Sequence, residues 1–238
     1  MYDLGKKDGE ECHITTAIPF ESARDFNRKD AKIRATISEV LNWGTSDGAR
    51  TIKVLTLKVD PEDYHADLFS RFYSADNALL EEVERVTIGI GFRTLNLGII
   101  SDDGYYDDVR SLSFDGKGTS LFYQWVADEA GVEDWNNYQF ISTVNAGANT
   151  YRPQGYDEIE ISDAIRLARN WYLADISKLI KKHTPAEIDN FLICGGGAIN
   201  QGKELSRILW GNAMICPESD IANAAGQLIE LAIELGQV

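Results

Sequence analysis

Apolar and polar residues alternate along the first third of the chain, a pattern typical of half-buried β-strands. This alternation predicts strands at Cys12–Pro19, Ala31–Val40 and Thr51–Val59. The turn-rich segment Asn42–Gly48 separates the last two strands, which are therefore predicted to form a hairpin. A short helix is predicted at Asp63–Tyr73, after the third strand.

A second group of strands begins at Val86. The pattern predicts strands at Val86–Phe92, Leu95–Ser101 and Arg110–Phe114, with turn residues between them. A helix follows at Thr119–Ala130. Because the first two of these strands are joined by a short turn, they are predicted to pair antiparallel.

The last third of the chain alternates helices and strands. A long helix is predicted at Ser162–His183, where apolar residues recur at helical spacing. A short strand then runs into Gly195–Gly197 and a helix follows, with a further strand at Ala213–Cys216 and a final helix from about Asp220 to Leu235. This order predicts an α/β fold with a mixed sheet, and it differs from a Rossmann order because the first glycine-containing loop leads into another strand.

The chain is acidic. Its 238 residues carry a net charge of -15, and no cluster of lysine or arginine offsets it, so nucleic acid is not expected as a direct partner. No apolar run approaches the length of a membrane span, and the N-terminus lacks a signal pattern, so the sequence predicts a cytoplasmic protein with no membrane partner. Cys12, Cys194 and Cys216 are far apart and predicted to be buried thiols, and no metal-ligand set is predicted.

Two strands break into glycines. The apolar segment Phe191–Cys194 runs directly into Gly195–Gly197, and the strand from Val86 is broken by Gly89 and Gly91. Glycines at a strand end let a ligand approach the bare backbone, so the two loops are predicted to form two walls of one nucleotide site. A tight turn that binds nothing is the alternative for each.

These segments resemble the actin-like ATPase superfamily, and within it the plasmid-segregation actins of the ParM/StbA type. The segment Gly89–Asn96 resembles the second phosphate loop, and Phe191–Ala198 resembles the adenosine loop. The segment Ile221–Gly226 resembles the element that closes the site, and Pro61 with Glu62 resembles a strand that ends in a Pro-Glu pair. The likeness spans nearly the whole chain in the family's order.

The resemblance implies an actin-like, ribonuclease H-like fold of mixed sheets flanked by helices. Residues 1–85 would be the remainder of a first domain, and residues 86–238 a second domain with both nucleotide loops. The ligand would be ATP or ADP with Mg²⁺, and Glu62 would orient the attacking water. The residues expected to contact the nucleotide are Gly91, Arg93, Thr94, Asn96, Gly118, Gly195, Gly196 and Gly197.

The chain also departs from the family. The hairpin that carries the first phosphate loop is missing before the strand at residues 12–19, and Gly89 and Asn96 stand where the second loop has aspartates. The loss of charge at Gly89 would weaken binding of Mg²⁺. The sequence therefore predicts weak nucleotide binding and impaired hydrolysis, and leaves open whether the chain is part of a longer protein or a degenerate member of the family.

The resemblance implies a nucleotide-binding protein of a DNA-segregation filament. Self-association would build the filament, and DNA would be reached only through an adaptor protein, because the chain itself is acidic. The alternative is a non-catalytic interaction protein on an actin-like scaffold.

Overall fold

A computed structural model describes residues 11–18, 40–45, 48–61, 63–73 and 83–237. They form a three-stranded sheet, a five-stranded sheet and a two-stranded ribbon. The strands are β1 (Glu11–Ile18), β2 (Val40–Thr45), β3 (Gly48–Pro61), β4 (Arg85–Ile90), β5 (Thr94–Ile100), β6 (Tyr106–Asp115), β7 (Thr150–Tyr151), β8 (Ile159–Glu160), β9 (Asn190–Cys194) and β10 (Asn212–Ile215). The helices are α1 (His65–Tyr73), α2 (Thr119–Ala130), α3 (Tyr138–Asn145), α4 (Ser162–His183), α5 (Ala198–Ile208) and α6 (Ala222–Glu234).

The first sheet has the order β1-β3-β2, in which β2 and β3 form an antiparallel hairpin and β1 runs parallel to β3. The predicted hairpin is confirmed. The predicted turn at Asn42–Gly48 is wrong at its start, because Asn42 pairs with Thr51 and the ladder continues to Thr45. The part of the predicted strand Ala31–Val40 that precedes Val40 lies outside the described residues.

The second sheet has the order β10-β9-β4-β5-β6. The strands β4, β5 and β6 pair antiparallel, and β9 and β10 run parallel to β4. This is the mixed sheet that the sequence predicts, and the antiparallel pairing of the two strands after Val86 is confirmed.

Two of the helices have the bounds that apolar spacing predicts, α2 and α4. The sequence analysis missed α3, a two-turn helix whose start is marked by Asn137. The Oδ1 atom of Asn137 accepts a hydrogen bond of 2.8 Å from the backbone N–H of Gln139, which is an ordinary N-cap contact.

Alternation along the central strands places residues on two faces of the second sheet. Val86, Ile88 and Ile90 of β4 lie in one core cluster with residues of α2 and α4. On the other face, Leu192 and Cys194 of β9 pack with residues of α1 and of α6. Thr87 and Gly89 of β4 therefore face the α1 and α6 layer.

The helix α1 belongs to this second sheet. Its Asp67 carboxylate accepts two hydrogen bonds of 2.6 Å from Arg85 at the start of β4, and both side chains are buried. α6 crosses the start of α1 so closely that a Cβ atom on Gly226 would lie 1.9 Å from the carbonyl oxygen of His65. The predicted boundary after residue 85 stays a prediction, although α1, which precedes it, packs with the residues that follow it.

The structure also describes two of the three cysteines and the lengths of the helices. Cys194 and Cys216 are buried free thiols, as predicted, whereas the side chain of Cys12 is not among those described. None of the helices in the described ranges combines the length and the apolar character needed to cross a bilayer.

Candidate functional site

The two glycine loops lie at the same end of the five-stranded sheet. The strands β4 and β9 are parallel neighbours, with Gly89 beside Cys194, so the residues that follow each strand meet. The backbone N–H of Gly197 donates a hydrogen bond of 2.8 Å to the carbonyl of Ile90. A Cβ atom on Gly195, whose φ is +84°, would lie 2.6 Å from that same oxygen. The prediction that the two loops lie together is confirmed.

The turn between β4 and β5 is stacked on the start of α2. The backbone N–H groups of Gly118, Thr119 and Ser120 donate hydrogen bonds of 3.0, 2.9 and 2.7 Å to the three carbonyls of residues 91–93. A Cβ atom on Gly118 would lie 2.6 Å from the same turn. The amides at this helix start are therefore already bonded within the protein, and Gly118 allows the two segments to touch.

Phe92, Arg93 and Gly196 are open to solvent at this end of the sheet. Phe92 and Arg93 are exposed at the tip of the turn, and Arg93 forms a surface ion pair of 3.7 Å with Asp115. Gly196 is exposed, and no atom of the described part of the chain lies within 4 Å of the place where its Cβ would be. Positions 195 and 197 thus need glycine, because any side chain there would collide with Ile90. Gly196 is the glycine of this run whose backbone is accessible to a ligand.

A buried carboxylate fills the space beside Gly89. Asp63 is 7% exposed, and its Oδ2 atom lies 2.0 Å from the position of a Cβ on Gly89. Asn96 is directly opposite Gly89 across the ladder, and its Nδ2 atom donates a hydrogen bond of 2.6 Å to Oδ2 of Asp63. Since opposite residues of an antiparallel pair face the same side, the glycine opens the gap through which Asn96 and Asp63 meet.

The other oxygen of the carboxylate is held from α6 and β9. Oδ1 of Asp63 accepts a hydrogen bond from Nδ2 of Asn223 and a long contact of 3.8 Å from the Cys194 thiol. The Oδ1 atom of Asn223 in turn accepts a hydrogen bond of 3.0 Å from the backbone N–H of Ala66 in the first turn of α1. Asn223 thus ties α6 both to the carboxylate and to the start of α1.

Among the described residues, the side chains that hydrogen-bond to the Asp63 carboxylate are those of Asn96, Asn223 and Cys194, and all of them are neutral. Burial raises the pKa of Asp63 above its ordinary 3.8, and the hydrogen bonds from Asn96, Asn223 and Cys194 offset part of that rise. Burial likewise raises the pKa of the Cys194 thiol well above its ordinary value, so the thiol remains protonated. The carboxylate therefore has no positive group within salt-bridge distance among the described residues.

A carboxyl group from another segment lies beside Gly89, where the sequence analysis expects a loss of negative charge. The carboxylate comes from Asp63, a residue 26 positions earlier in the chain, and reaches the space that the glycine leaves empty. Glu62, the residue expected to orient water, lies outside the described residues. Of the other predicted contacts, Thr94 is half-buried beside Gly91, and the Oδ1 atom of Asn96 accepts a hydrogen bond from Ser113.

The sequence analysis placed Asp63 at the start of a predicted helix and gave it no part in the site. A glycine in the interior of a strand often marks the close approach of another group. Gly89, inside β4 and opposite a buried asparagine, was the signal in the chain that could have led to the carboxylate.

The raised pKa of Asp63 predicts how stability depends on pH. The folded state holds this proton more tightly than the unfolded chain, so the stability that the proton contributes is complete below pH 3.8 and is lost as pH rises through the folded-state pKa. We expect the stability of the wild type relative to Asp63→Asn to fall with rising pH across that window, by at most about 1.4 kcal/mol per pH unit. Urea unfolding of both proteins between about pH 4 and 8 measures this difference, and a constant or rising difference would contradict the prediction.

Solved structures show which known proteins share this fold. No protein-family model matches the chain, and no curated protein sequence matches it. The structure of Ta0583, an archaeal actin homolog, superposes with a TM-score of 0.78 at 18% identity, covering 96% of this chain and 72% of that one. Its complex with ADP gives a TM-score of 0.74 at 18% identity, covering 94% and 73%.

A 15-stranded ParM filament from Clostridium botulinum is similar as well, with a TM-score of 0.70 at 19% identity, covering 93% of this chain and 66% of that chain. At these identities the likeness defines the fold, and the chain has the actin-like fold of the ParM type. The fold class predicted from the sequence is confirmed. The first phosphate-loop hairpin would precede β1, where residues 1–10 are outside the described ranges.

Proposed function

We propose that this chain is an actin-like protein that binds an adenine nucleotide with Mg²⁺ and assembles into filaments in DNA segregation. The observation that carries the proposal is the meeting of the β4–β5 turn and the Gly195–Gly197 turn at one end of an actin-like sheet. An archaeal protein of the same fold was solved with ADP, and a ParM of the same fold was solved as a filament.

The residues of this end of the sheet fit such a ligand. Arg93 offers an exposed positive charge for phosphate, and its surface ion pair with Asp115 is weak enough to be exchanged. Gly196 offers an open backbone face for the flat part of a nucleotide. When bound, Mg²⁺ would screen the charge of the phosphates, and the residues of this chain would bind and orient them.

The expectation of impaired hydrolysis rested partly on the loss of charge at Gly89, and the Asp63 carboxylate occupies that space. A role in DNA segregation would place the protein in the cytoplasm and would require a basic adaptor, because the net charge of -15 opposes direct contact with DNA.

Substitution of Gly196 tests nucleotide binding. We expect the wild type to bind ADP with Mg²⁺ saturably, and Gly196→Val to weaken binding by about tenfold or more, which is about 1.4 kcal/mol. No atom of the described residues lies within 4 Å of the new Cβ, so we expect valine to block the ligand without disturbing the fold. Isothermal titration measures the affinity, and thermal unfolding checks that the midpoint is unchanged.

Gly202→Ala in α5 is the matched control, because its Cβ would lie at an ordinary 3.5 Å from Ile215, and we expect it to bind ADP like the wild type. Light scattering and electron microscopy with Mg²⁺ and ATP test assembly. A wild type that binds no nucleotide and forms no filament would contradict the proposal and favour the alternative, a non-catalytic interaction protein on the actin-like scaffold.

A further inference from the structure

A cavity of about 380 Å³ lies between the end of α2 and the β7–β8 ribbon, and none of its described lining residues belongs to the two glycine loops. Its lining includes the aromatic side chains of Tyr151 and Tyr156 and the carboxylates of Glu133 and Asp134. Among the described residues, no lysine, arginine or histidine lines it. The cavity is therefore aromatic and negatively charged.

Backbone and ring contacts fix both walls of this cavity. Gly131 ends α2 with a φ of +70°, and the backbone N–H of Val132 donates a hydrogen bond of 2.8 Å to the carbonyl of Ala127. On the opposite wall, the Tyr151 ring packs edge-on against Phe140 of α3, with the ring centroids 5.1 Å apart. The fold thus holds the cavity open before any ligand binds.

The end of α2 carries negative charge without a countercharge. The C-terminus of a helix is stabilised by cations, yet α2 has no basic residue in its last turn. None of the acidic residues at this helix end forms an ion pair with a described residue: Asp128, Glu129, Glu133 and Asp134. Arg152, beside Tyr151, pairs with Glu158 at 3.8 Å. A cation bound in the cavity would supply the missing charge.

The hydroxyl of Tyr151 points to a ligand independently of these carboxylates. Tyr151 is 4% exposed, and its hydroxyl forms no hydrogen bond with a described residue. Buried polar groups normally have a partner, and this one lines the cavity. Burial and the negative charge of Asp134 raise the pKa of Tyr151, so the carboxylate lies near the phenol. A donor placed between the two would bond to both oxygens.

The chemistry of the lining selects an organic cation over a metal ion. Among the described residues, no group of three or more histidine, cysteine, aspartate or glutamate side chains could hold a metal. The ring of Tyr156 is 76% exposed, and an ammonium or guanidinium group binds favourably over the face of a tyrosine ring. Carboxylates accept strong hydrogen bonds from the same groups.

We propose that this cavity binds an arginine or lysine side chain from a basic segment of another protein, held by the carboxylates of Glu133 and Asp134 and by the hydroxyl of Tyr151. The net charge of -15 favours a basic partner, because opposite charges speed encounter and disfavour acidic competitors. The inference does not depend on the proposed nucleotide site.

Fluorescence anisotropy with a labelled peptide, Gly-Ser-Gly-Arg-Gly-Arg-Gly-Ser, tests this binding. A second peptide with citrulline in place of both arginines keeps their shape without their charge. At about 0.15 M salt, which screens distant charges, we expect the wild type to bind the arginine peptide about tenfold or more tightly than the citrulline peptide.

Two variants locate the binding in the cavity. Glu133→Gln with Asp134→Asn should weaken binding of the arginine peptide by about tenfold or more. Tyr151→Phe should weaken it by about threefold to tenfold and leave the midpoint of thermal unfolding unchanged, because the hydroxyl has no partner among the described residues. The matched control is Glu187→Gln with Asp189→Asn, which removes two exposed charges outside the cavity and should change the affinity by less than about twofold.

The other outcomes overturn the inference. Equal affinity for the two peptides, or no binding of the arginine peptide, would exclude a cation site. Equal weakening by the two double variants would show attraction to net charge alone. If free spermidine displaces the labelled peptide as well as unlabelled arginine peptide does, the ligand is a small polyamine. If the wild type self-associates in sedimentation velocity and Glu133→Gln with Asp134→Asn does not, the occupant is a second copy of this chain. If Tyr151→Phe does not fold, the comparison of the two double variants decides.

Discussion

Replacing Asp67 with asparagine is expected to lower the free energy of unfolding by about 3–5 kcal/mol. Asp67 and Arg85 are almost completely buried and share two hydrogen bonds of 2.6 Å, which fasten α1 to the start of β4. The asparagine would leave the Arg85 guanidinium buried without its countercharge. Removing one partner of a buried ion pair destabilises a protein far more than replacing both partners. Urea unfolding followed by circular dichroism measures the loss.

The matched control is Asp115→Asn. Asp115 pairs with Arg93 at 3.7 Å, and both side chains are about three-quarters exposed, so water replaces the partner at little cost. We expect Asp115→Asn to change the free energy of unfolding by less than about 1 kcal/mol. The double variant Asp67→Asn with Arg85→Met should recover part of the loss, because it removes the unpaired charge. If Asp67→Asn lowered the free energy of unfolding as little as the control does, the Asp67–Arg85 pair would not be important for stability.

Substitution of Gly226 is the second change with a large expected effect. A Cβ atom at this position would lie 1.9 Å from the carbonyl oxygen of His65 and 2.6 Å from the carbonyl carbon, and backbone atoms cannot rotate away as a side chain can. We expect Gly226→Ala to destabilise the protein by about 1–3 kcal/mol, the range for overpacking, even though alanine is intrinsically better in a helix. Thermal and urea unfolding measure the effect.

The shift of α6 caused by Gly226→Ala should also disturb the contacts of the Asp63 carboxylate. Asn223 lies one turn earlier in α6 and bonds both Asp63 and the start of α1, so a shift of α6 would break these contacts. Gly202→Ala in α5 is the control, with its nearest atom 3.5 Å from the new Cβ, and we expect it to be neutral or slightly stabilising. Equal effects of the two substitutions would show that α6 and α1 are not as close as described.

The elements from β4 onward were largely predictable from the sequence. α2 and α4 have the predicted bounds, and β4, β5, β9 and β10 lie within one or two residues of the predicted strands. These elements are long or strongly apolar, and their periodicity decides their type locally. The predicted strand Ala31–Val40 ended too early, because the residues that suggested a turn at Asn42–Gly48 are paired in the ladder as far as Thr45.

The meeting of the two glycine loops was also predictable. Glycines end both strands, and strand order in an actin-like sheet brings those ends together, which the pairing of Gly89 with Cys194 confirms. The part played by each glycine was not predictable. Gly195 and Gly197 pack on Ile90, whereas Gly196 is open, and the three residues look alike in the sequence.

The sequence by itself determined the type and order of most elements and the place of the two loops, because the period of apolar residues and the position of glycines act within a few neighbouring residues. The tertiary structure decided the charge of the site and how α1 is held. Asp63 meets Asn96 and Asn223, and Asp67 meets Arg85, across 18 to 160 positions of the chain. Such contacts depend on which side chains face each other after packing. The pattern of neighbouring residues in the sequence does not indicate a partner that far away in the chain.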